Sequence, residues 1–307
     1  MDTQLLNALE RAPQFDEIDP KTLDAERLGG LTNLVYRVTY DDRPYVIRIP
    51  GEGTEEYIDR RVEAHNAKQA AAAGVNAPVL YFDESDGLMV CGYLEGYRTM
   101  SPSGFRNDTG AVERAGVALQ RMHSSGREFK FRFELFSMID EYLGVLKKLD
   151  CPLPEGYHDV VTEAEAVREA LSAHPQQLSP CHNDPLCENF LDNGNRTCIV
   201  DWEYSGMNEP LWDVADLSVE AGLSDEQDLV LLSAYNDGAF TDAELGRMRI
   251  YKAMCDLLWT LWGLIQFAND NPAEDFWAYA TERFDRCKGL MAKPEFRTYI
   301  TDVRADN

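Results

Sequence analysis

The chain has 307 residues, of which 29 are basic and 54 acidic, so its formal net charge is -25. This balance argues against nucleic acid and against an anionic membrane surface as partners, and it is compatible with a cationic substrate. The length suffices for two domains, or for one bilobed unit with a substantial core.

The amino-terminal segment and the cysteines indicate the compartment. Residues 1–20 contain early acids and no apolar stretch of signal-peptide length, and no later apolar run is long enough to span a bilayer. The seven cysteines are odd in number and lack a Cys-x2-Cys pair, which disfavours a disulfide framework and a zinc site. We therefore expect a soluble, cytoplasmic protein with reduced, mostly buried thiols.

Residues 28–93 are typical of a small domain rich in strands. Residues 35–40 and 45–49 are rich in β-branched and aromatic side chains on either side of a turn, which predicts an antiparallel pair. A helix is predicted over 55–73, because a glycine and then a proline follow it. Two further strands are predicted at 79–82 and 88–90.

Three features of this small domain are candidates for nucleotide binding. A Gly-Gly-Leu-Thr-Asn loop ends at Asn33, and its backbone N–H groups can wrap phosphates, although such a loop is more often an ordinary turn. Arg48 and Glu63 have the placement of a phosphate-contacting cation and its helical partner. Alternatively, Arg48 is a surface residue and Glu63 pairs with Arg60 or Lys68 along its own helix.

A short extended connector separates this domain from a helical remainder. Residues Gly92, Tyr93, Leu94 and Glu95 form the connector, where adenine would hydrogen-bond to backbone. We expect residues 1–93 to form one nucleotide-binding lobe and residues 94–307 a helical lobe that binds the acceptor. The helices, predicted from apolar spacing and capping residues, cover 109–123, 135–149, 158–173, 213–220, 225–236 and 242–267.

The segment between these helices carries the strongest chemical signal. Asp184 is followed five positions later by Asn189, and residues 190–200 predict a hairpin that turns near Asn195. The hairpin would bring Asn189 and Asp201 together at its open end. Their oxygens are ligands that Mg²⁺ prefers beside phosphates and water. The segment resembles the catalytic loop of protein kinases, in which the Asp accepts the proton of the attacking hydroxyl.

Two indoles on one predicted helix suggest which kind of small molecule the helical lobe binds. Trp259 and Trp262 are three positions apart and share a helical face, which usually means core packing. A quaternary ammonium, however, donates no hydrogen bond and is best held by aromatic faces. Trp259, Trp262 and Tyr279 can build such a cage, with Glu203 and Glu220 supplying negative potential.

These residues together resemble the choline/ethanolamine kinase family in its compact bacterial form, within the aminoglycoside phosphotransferase-like superfamily. The similarity extends from Leu28 to Met291. Its markers are the segments 46–51, 182–191, 199–204, 211–213 and 259–262. The resemblance implies an α+β, bilobed protein-kinase-like fold, with a small antiparallel-sheet lobe carrying one main helix and a larger, mostly helical lobe.

The resemblance also implies roles for individual residues. Asp184 would be the catalytic base, and Asn189 and Asp201 the Mg²⁺ ligands. The residues implied for ATP are Asn33, Arg48, Glu63, Gly92, Tyr93, Leu94 and Glu95. The residues implied for choline are Glu203, Tyr204, Glu220, Trp259, Trp262 and Tyr279.

The implied reaction is transfer of the ATP γ-phosphate to choline, with Mg²⁺ required. Asp201-Trp202-Glu203 replaces the Asp-Phe-Gly of protein kinases and no Ala-Pro-Glu follows, so a peptide acceptor is not expected. The alternatives are a kinase for ethanolamine, an aminoglycoside or thiamine, and a catalytically silent binding protein on the same scaffold. The sequence indicates no oligomeric state.

Overall fold

The computed structural model describes residues 2–16, 19, 23–29, 33–51 and 58–305. The helices are α1 (Thr3–Arg11), α2 (Arg60–Ala72), α3 (Pro102–Asn107), α4 (Thr109–His123), α5 (Leu135–Lys148), α6 (Tyr157–Ala173), α7 (Leu211–Ala221), α8 (Asp225–Tyr235), α9 (Asp242–Ala268), α10 (Phe276–Met291) and α11 (Pro294–Ala305). The strands are β1 (Asp24–Gly29), β2 (Leu34–Tyr40), β3 (Arg43–Ile49), β4 (Val79–Phe82), β5 (Met89–Gly92), β6 (Arg98–Thr99), β7 (Ser179–Cys181), β8 (Phe190–Asp192), β9 (Thr197–Ile199) and β10 (Gly206–Asn208).

The amino-terminal region forms an antiparallel sheet with the strand order β1-β2-β3-β5-β4. The turn between β2 and β3 contains Asp41 and Asp42, which both have positive φ angles, of 50° and 56°. Such a turn matches the twist of the two strands it joins. One sheet face is buried through Val38 and Ile47, which belong to one core cluster with residues of α1. The antiparallel pair predicted at 35–49 is thus confirmed, and so are the two further strands predicted at 79–82 and 88–90.

Helix α2 begins later than the sequence pattern predicts. Ile58 and Asp59 are not helical, and the Asp59 side chain accepts the N–H groups of Arg61 and Val62, so it caps a helix that starts at Arg60. The predicted start at residue 55 is therefore too early, and residues 55–57 themselves lie outside the described part of the chain. The predicted end is confirmed within one residue.

The carboxyl-terminal region is mainly helical and packs around α9. This helix opens with a capping box between Thr241 and Glu244, and it contacts α5, α7, α10 and α11. The predicted helices are confirmed within one or two residues, whereas α3, α10 and α11 were not predicted. Within the described residues, no helix combines the length and apolar character that crossing a bilayer requires. The cysteines are all free, and all but the half-buried Cys151 are buried.

Two small sheets position the loop at 182–189. The chain leaves β7, which pairs with β10, and after the loop it enters β8. Strands β8 and β9 form the predicted hairpin, with β6 along its other edge. Asp201 follows two residues after the end of β9. Both ends of the loop at 182–189 are therefore held by paired strands. The hairpin that begins after the loop continues to Asp201.

Candidate active site

The loop at 182–189 rests on a buried carboxylate from the first turn of α7. Asp213 is fully buried, and its two oxygens accept the backbone N–H groups of His182, at 2.6 Å, and of Asn183, at 2.8 Å. His123 Nε2 lies 2.9 Å from the same carboxylate, and its Nδ1 lies 3.0 Å from the Tyr235 hydroxyl. A buried charged acceptor with several donors is strongly held, so the loop has a rigid base.

Asn183 then turns the chain towards Asp184. Its φ angle of 68° lies in the left-handed region, which Asn tolerates better than most residues. Its side chain donates to the Tyr204 carbonyl at 3.0 Å and accepts from Asn208 Nδ2 at 3.0 Å. Its own carbonyl accepts the Trp212 indole N–H at 3.1 Å. These three contacts, together with the Asn183 N–H bond to Asp213, fix the direction in which the chain continues to Asp184.

The Asp184 carboxyl has an environment suited to proton transfer. Burial, followed by the negative charge of Glu220, raises its pKa to about 7, although the guanidinium of Arg283 opposes both effects. A carboxylate with a pKa near neutrality is an effective acceptor for the proton of an alcohol.

Asn189 and Asp201 flank the open end of the hairpin, as predicted. The Val200 N–H donates to the Asn189 carbonyl at 2.9 Å, and Asp201 follows directly with a φ angle of 65°. The Asn189 amide group donates to the Asp184 carbonyl at 3.1 Å, which leaves its side-chain oxygen as a possible ligand. The backbone of the hairpin thus holds Asn189 beside Asp201, and the Asn189 side chain contacts Asp184.

The electrostatics of Asp201 fit a divalent cation. Burial and then the charge of Glu203 raise the pKa of Asp201 to about 8, although the Arg48 guanidinium lies 3.4 Å away. The Arg48 guanidinium alone does not offset the burial and the nearby acids, and a metal ion beside Asp201 would supply further positive charge. The carboxylate of Asp201 and the amide oxygen of Asn189 are the hard donors that Mg²⁺ accepts.

A network of two arginines and two glutamates connects α2 and β3 to the segment after β9. Arg48 forms an ion pair with Glu63 and lies 3.3 Å from Glu203. Arg60 contacts Glu63 at 2.7 Å and Glu203 at 2.8 Å. Both pairings considered for Glu63 are present at once. Asn33 donates to Glu203 at 3.1 Å, so Glu203 groups with these cations.

The connector has part of its backbone engaged. The Gly92 N–H donates to the Pro78 carbonyl at 2.9 Å, and the Tyr93 N–H donates to the Pro44 carbonyl at 3.3 Å. These two N–H groups are therefore engaged within the protein, and the N–H groups that this segment would offer to adenine are those of Leu94 and Glu95. This role stays a prediction, as does that of the glycine loop, whose residues 30–32 lie outside the described part of the chain.

Aromatic side chains from α9, α10 and the segment before β10 cluster together. The Trp259 and Trp262 rings meet edge to face with centroids 6.3 Å apart, and Tyr279 lies 5.8 Å from Trp262. Tyr204 lies 6.2 Å from Trp259, and Phe276 joins the cluster 5.7 Å from Trp262. The structure thus unites the four predicted aromatic residues and adds Phe276, which was not predicted.

The charges around this cluster are partly paired. Glu220 accepts a hydrogen bond from Arg283 at 2.7 Å, and the Arg283 guanidinium lies 4.6 Å from the centroid of the Tyr279 ring. One face of Tyr279 is therefore already occupied by a cation of the protein. The sequence analysis missed Arg283 for two reasons. Its partner Glu220 lies 63 residues earlier on another helix, and the helix that Arg283 shares with Tyr279 was not predicted.

Comparison with known proteins is consistent with this geometry. Residues 25–251 match the model of the phosphotransferase enzyme family. Protein LicA of Haemophilus influenzae is 32% identical over 292 residues, covering 90% of this chain and 82% of that protein.

The chain is also similar to solved structures of related proteins. A choline/ethanolamine kinase family protein from Mesorhizobium loti is 54% identical, with a TM-score of 0.91 and 98% of each chain covered. Choline kinase LicA from Streptococcus pneumoniae is 28% identical, with a TM-score of 0.73, over 88% of this chain and 94% of that chain. The predicted resemblance and the α+β, protein-kinase-like fold are confirmed. The chain belongs to the phosphotransferase enzyme family.

Proposed function

We propose that this protein is a choline kinase, which transfers the γ-phosphate of ATP to the hydroxyl group of choline and gives phosphocholine and ADP. The observation that carries the proposal is the position of Asp184. Its backbone carbonyl accepts from Asn189, and its carboxyl group is close enough to Asp201 and to Glu220 on α7 for their charges to influence one another. Two of the similar structures are of a choline kinase and of a choline/ethanolamine kinase family protein.

The chain's own residues supply position and charge for the transfer. The choline oxygen attacks the γ-phosphorus, the bond to the oxygen bridging the β- and γ-phosphates breaks, and the hydroxyl proton passes to Asp184. Mg²⁺, bound by Asn189 and Asp201, would offset charge on the phosphates. Arg48, oriented by Glu63, would contact the same phosphates. The catalytic, metal and nucleotide roles of these residues are part of the proposal.

The aromatic cluster suits the trimethylammonium group. The faces of Trp259, Trp262 and Tyr204 offer attraction to a cation that has no hydrogen to donate. Tyr279 is included in the proposal through its contact with Trp262, and Glu220 through its negative charge near Asp184. We also propose that residues 1–93 bind the nucleotide and residues 94–307 the acceptor, and that the enzyme works in the cytoplasm, where free thiols persist.

A second candidate acceptor is ethanolamine. A primary ammonium needs direct carboxylate or carbonyl acceptors, and the buried acids on α7 offer them. A catalytically silent binding protein is disfavoured, because Asp184, Asn189 and Asp201 are all present and adjacent.

An ADP-release assay on the purified protein tests the proposal. The acceptors are choline, ethanolamine, thiamine and kanamycin, each with ATP and with or without Mg²⁺. We expect choline to give the highest kcat/KM and EDTA to abolish turnover. A clear preference for another acceptor, or nucleotide binding without ADP release for any of them, would overturn the assignment.

A further inference from the structure

Asp216, on α7, is a buried carboxyl group that the roles described so far leave unexplained. Its residue is 1% exposed. Its Oδ2 lies 3.4 Å from the indole Nε1 of Trp259, and its Oδ1 has no hydrogen-bond partner among the described residues. A buried carboxyl group with an unsatisfied oxygen costs folding free energy, so its presence at this position calls for an explanation.

The neighbouring cations are engaged by other acids. Arg286 contacts Asp256 at 2.7 Å, and Arg283 is shared between Glu220 at 2.7 Å and Asp256 at 3.4 Å. Asp216 forms no ion pair with any residue that the structure describes. Burial, followed by the charges of Glu220 and Asp184, raises the pKa of Asp216 well above its usual range. This end of α7 therefore has more acid than the nearby arginines can compensate, so the neutral form of Asp216 is favoured until a cation binds beside it and stabilises the ionised form.

The contact with Trp259 connects this excess to the aromatic cluster. The Trp259 ring packs edge to face with Trp262 and with Tyr204. A hydrogen bond from the indole N–H to a carboxylate fixes which ring face is presented to a ligand. It also adds electron density to the ring, and a cation over the ring is attracted by that density.

We propose that Asp216 is a positioning residue for the acceptor's permanent positive charge, acting through the orientation of Trp259 and as the counter-charge beneath the aromatic cluster. The inference rests on the proposed function and adds a specificity-determining residue to it. A purely structural carboxyl group would stabilise cationic and neutral acceptors alike. A counter-charge favours cationic acceptors over neutral ones, because Coulomb attraction acts only on the cation.

The test uses two competitors that need not be phosphorylated. Tetramethylammonium carries the charge of choline without its hydroxyl group, and 3,3-dimethylbutan-1-ol has the shape of choline with carbon in place of nitrogen. Their inhibition constants against choline are measured for the unchanged enzyme and for Asp216→Asn. We expect the constant for tetramethylammonium and the KM for choline to rise about tenfold, while the constant for the neutral alcohol changes less than about twofold.

Two further variants make the result decisive. Asp225→Asn removes one negative charge from an exposed acid on the next helix and should change neither constant. Asp216→Ser removes the same charge with a smaller side chain and should repeat the result if Asp216→Asn folds poorly. Equal changes for both competitors, or no change, would overturn the inference while choline turnover by the unchanged enzyme upholds the proposed function. Absence of that turnover would overturn both.

Discussion

Asp184 illustrates how a single residue acquires its chemistry from its surroundings. The side chain is an ordinary carboxyl group, but burial and the charge of Glu220 raise its pKa to about 7. The direction of the group is set by Asn183, whose backbone and side chain are both engaged. Position and proton affinity thus come from different neighbours, which can be varied separately.

Replacing Asp184 separates activity from stability. We expect Asp184→Asn to lower kcat by about 10²–10⁴-fold in the ADP-release assay, since the proton acceptor is lost. Because the folded pKa is raised above the usual 3.8, ionisation of Asp184 weakens the fold as pH increases towards 7. Asp184→Asn should therefore increase Tm at pH 8. Near-normal turnover by this variant would refute the catalytic role.

The pH profile of the unchanged enzyme reports the same group. A general base must be ionised, so kcat/KM for choline should rise with pH up to about 7 and then level off. Below that point the expected slope is about tenfold per pH unit. Bound Mg²⁺ would move the midpoint downwards, because it favours the ionised form. A profile that falls with increasing pH across this range would contradict the assignment.

Sequence patterns predict those site residues that are brought together by contacts between positions close in the chain. Asp184, Asn189 and Asp201 could be predicted because one hairpin brings them together within a short stretch of chain. Asp216 could not be assigned a role, because its relation to Trp259 spans 43 residues and depends on how α7 packs against α9.

At the scale of elements, α7 serves two purposes along one face. Asp213 in its first turn holds the loop at 182–189, and Asp216 and Glu220 follow at three- and four-residue spacing beside the aromatic cluster. Residues so spaced share a helical face.

The loop anchor can be tested by Asp213→Asn. The amide supplies one acceptor and one donor group where two backbone N–H groups and His123 converge, so part of the network is left unmatched. We expect a loss of about 2–4 kcal/mol in unfolding free energy and a lower kcat, with ATP affinity largely kept. Urea unfolding and nucleotide titration measure these quantities. Asp225→Asn is the control, and equal stability of the two variants would argue against the anchor.

The tryptophans on α9 can be tested by acceptor preference. Trp259→Ala removes an aromatic face that choline needs more than ethanolamine does, since only the ammonium group of ethanolamine has N–H donors. We expect kcat/KM to fall about tenfold or more for choline and clearly less for ethanolamine. Phe267→Ala, at an exposed ring on the same helix, is the matched control. Equal losses on both acceptors would indicate a packing role alone.

Element boundaries show where sequence patterns lose information. Strand β1 is mostly exposed, so it carries no alternating apolar signal, and it forms only because β2 offers a partner edge. The stretch before α2 is rich in helix-forming acids, which is why the predicted helix start is too early. Asp59 instead accepts the N–H groups of the first turn and so fixes the start of α2 at Arg60. The clear periodicity and capping residues of α4 and α9 explain why their bounds could be predicted.

At the scale of the whole molecule, the arginine network joins the amino-terminal sheet to the segment that follows β9. Arg48 and Arg60 come from β3 and α2, whereas Asp201 and Glu203 follow β9. The buried network crosses the junction between the two lobes. Nucleotide and metal would bind where these charges meet, so their binding should be coupled to the stability of the entire chain.

Ligand-induced stabilisation tests this coupling. At a concentration 100 times its Kd, a ligand stabilises the folded state by about 2.7 kcal/mol, which should increase Tm by several degrees. We expect Mg²⁺ with ATP to give this increase in a thermal-shift measurement. Asp201→Asn should lose the Mg²⁺-dependent part and retain stabilisation by ATP alone. An unchanged response to Mg²⁺ in that variant would exclude Asp201 as a ligand.

The support of the loop at 182–189, to which we assign catalysis, by the first turn of α7 has an evolutionary consequence. The loop depends on Asp213, whereas the aromatic walls arise from α9, α10 and Tyr204. Substitutions that remodel those walls leave the phosphate chemistry intact, because they do not touch the carboxylate that holds the loop. Selection can therefore shift such a scaffold from one small alcohol to another through a series of active intermediates.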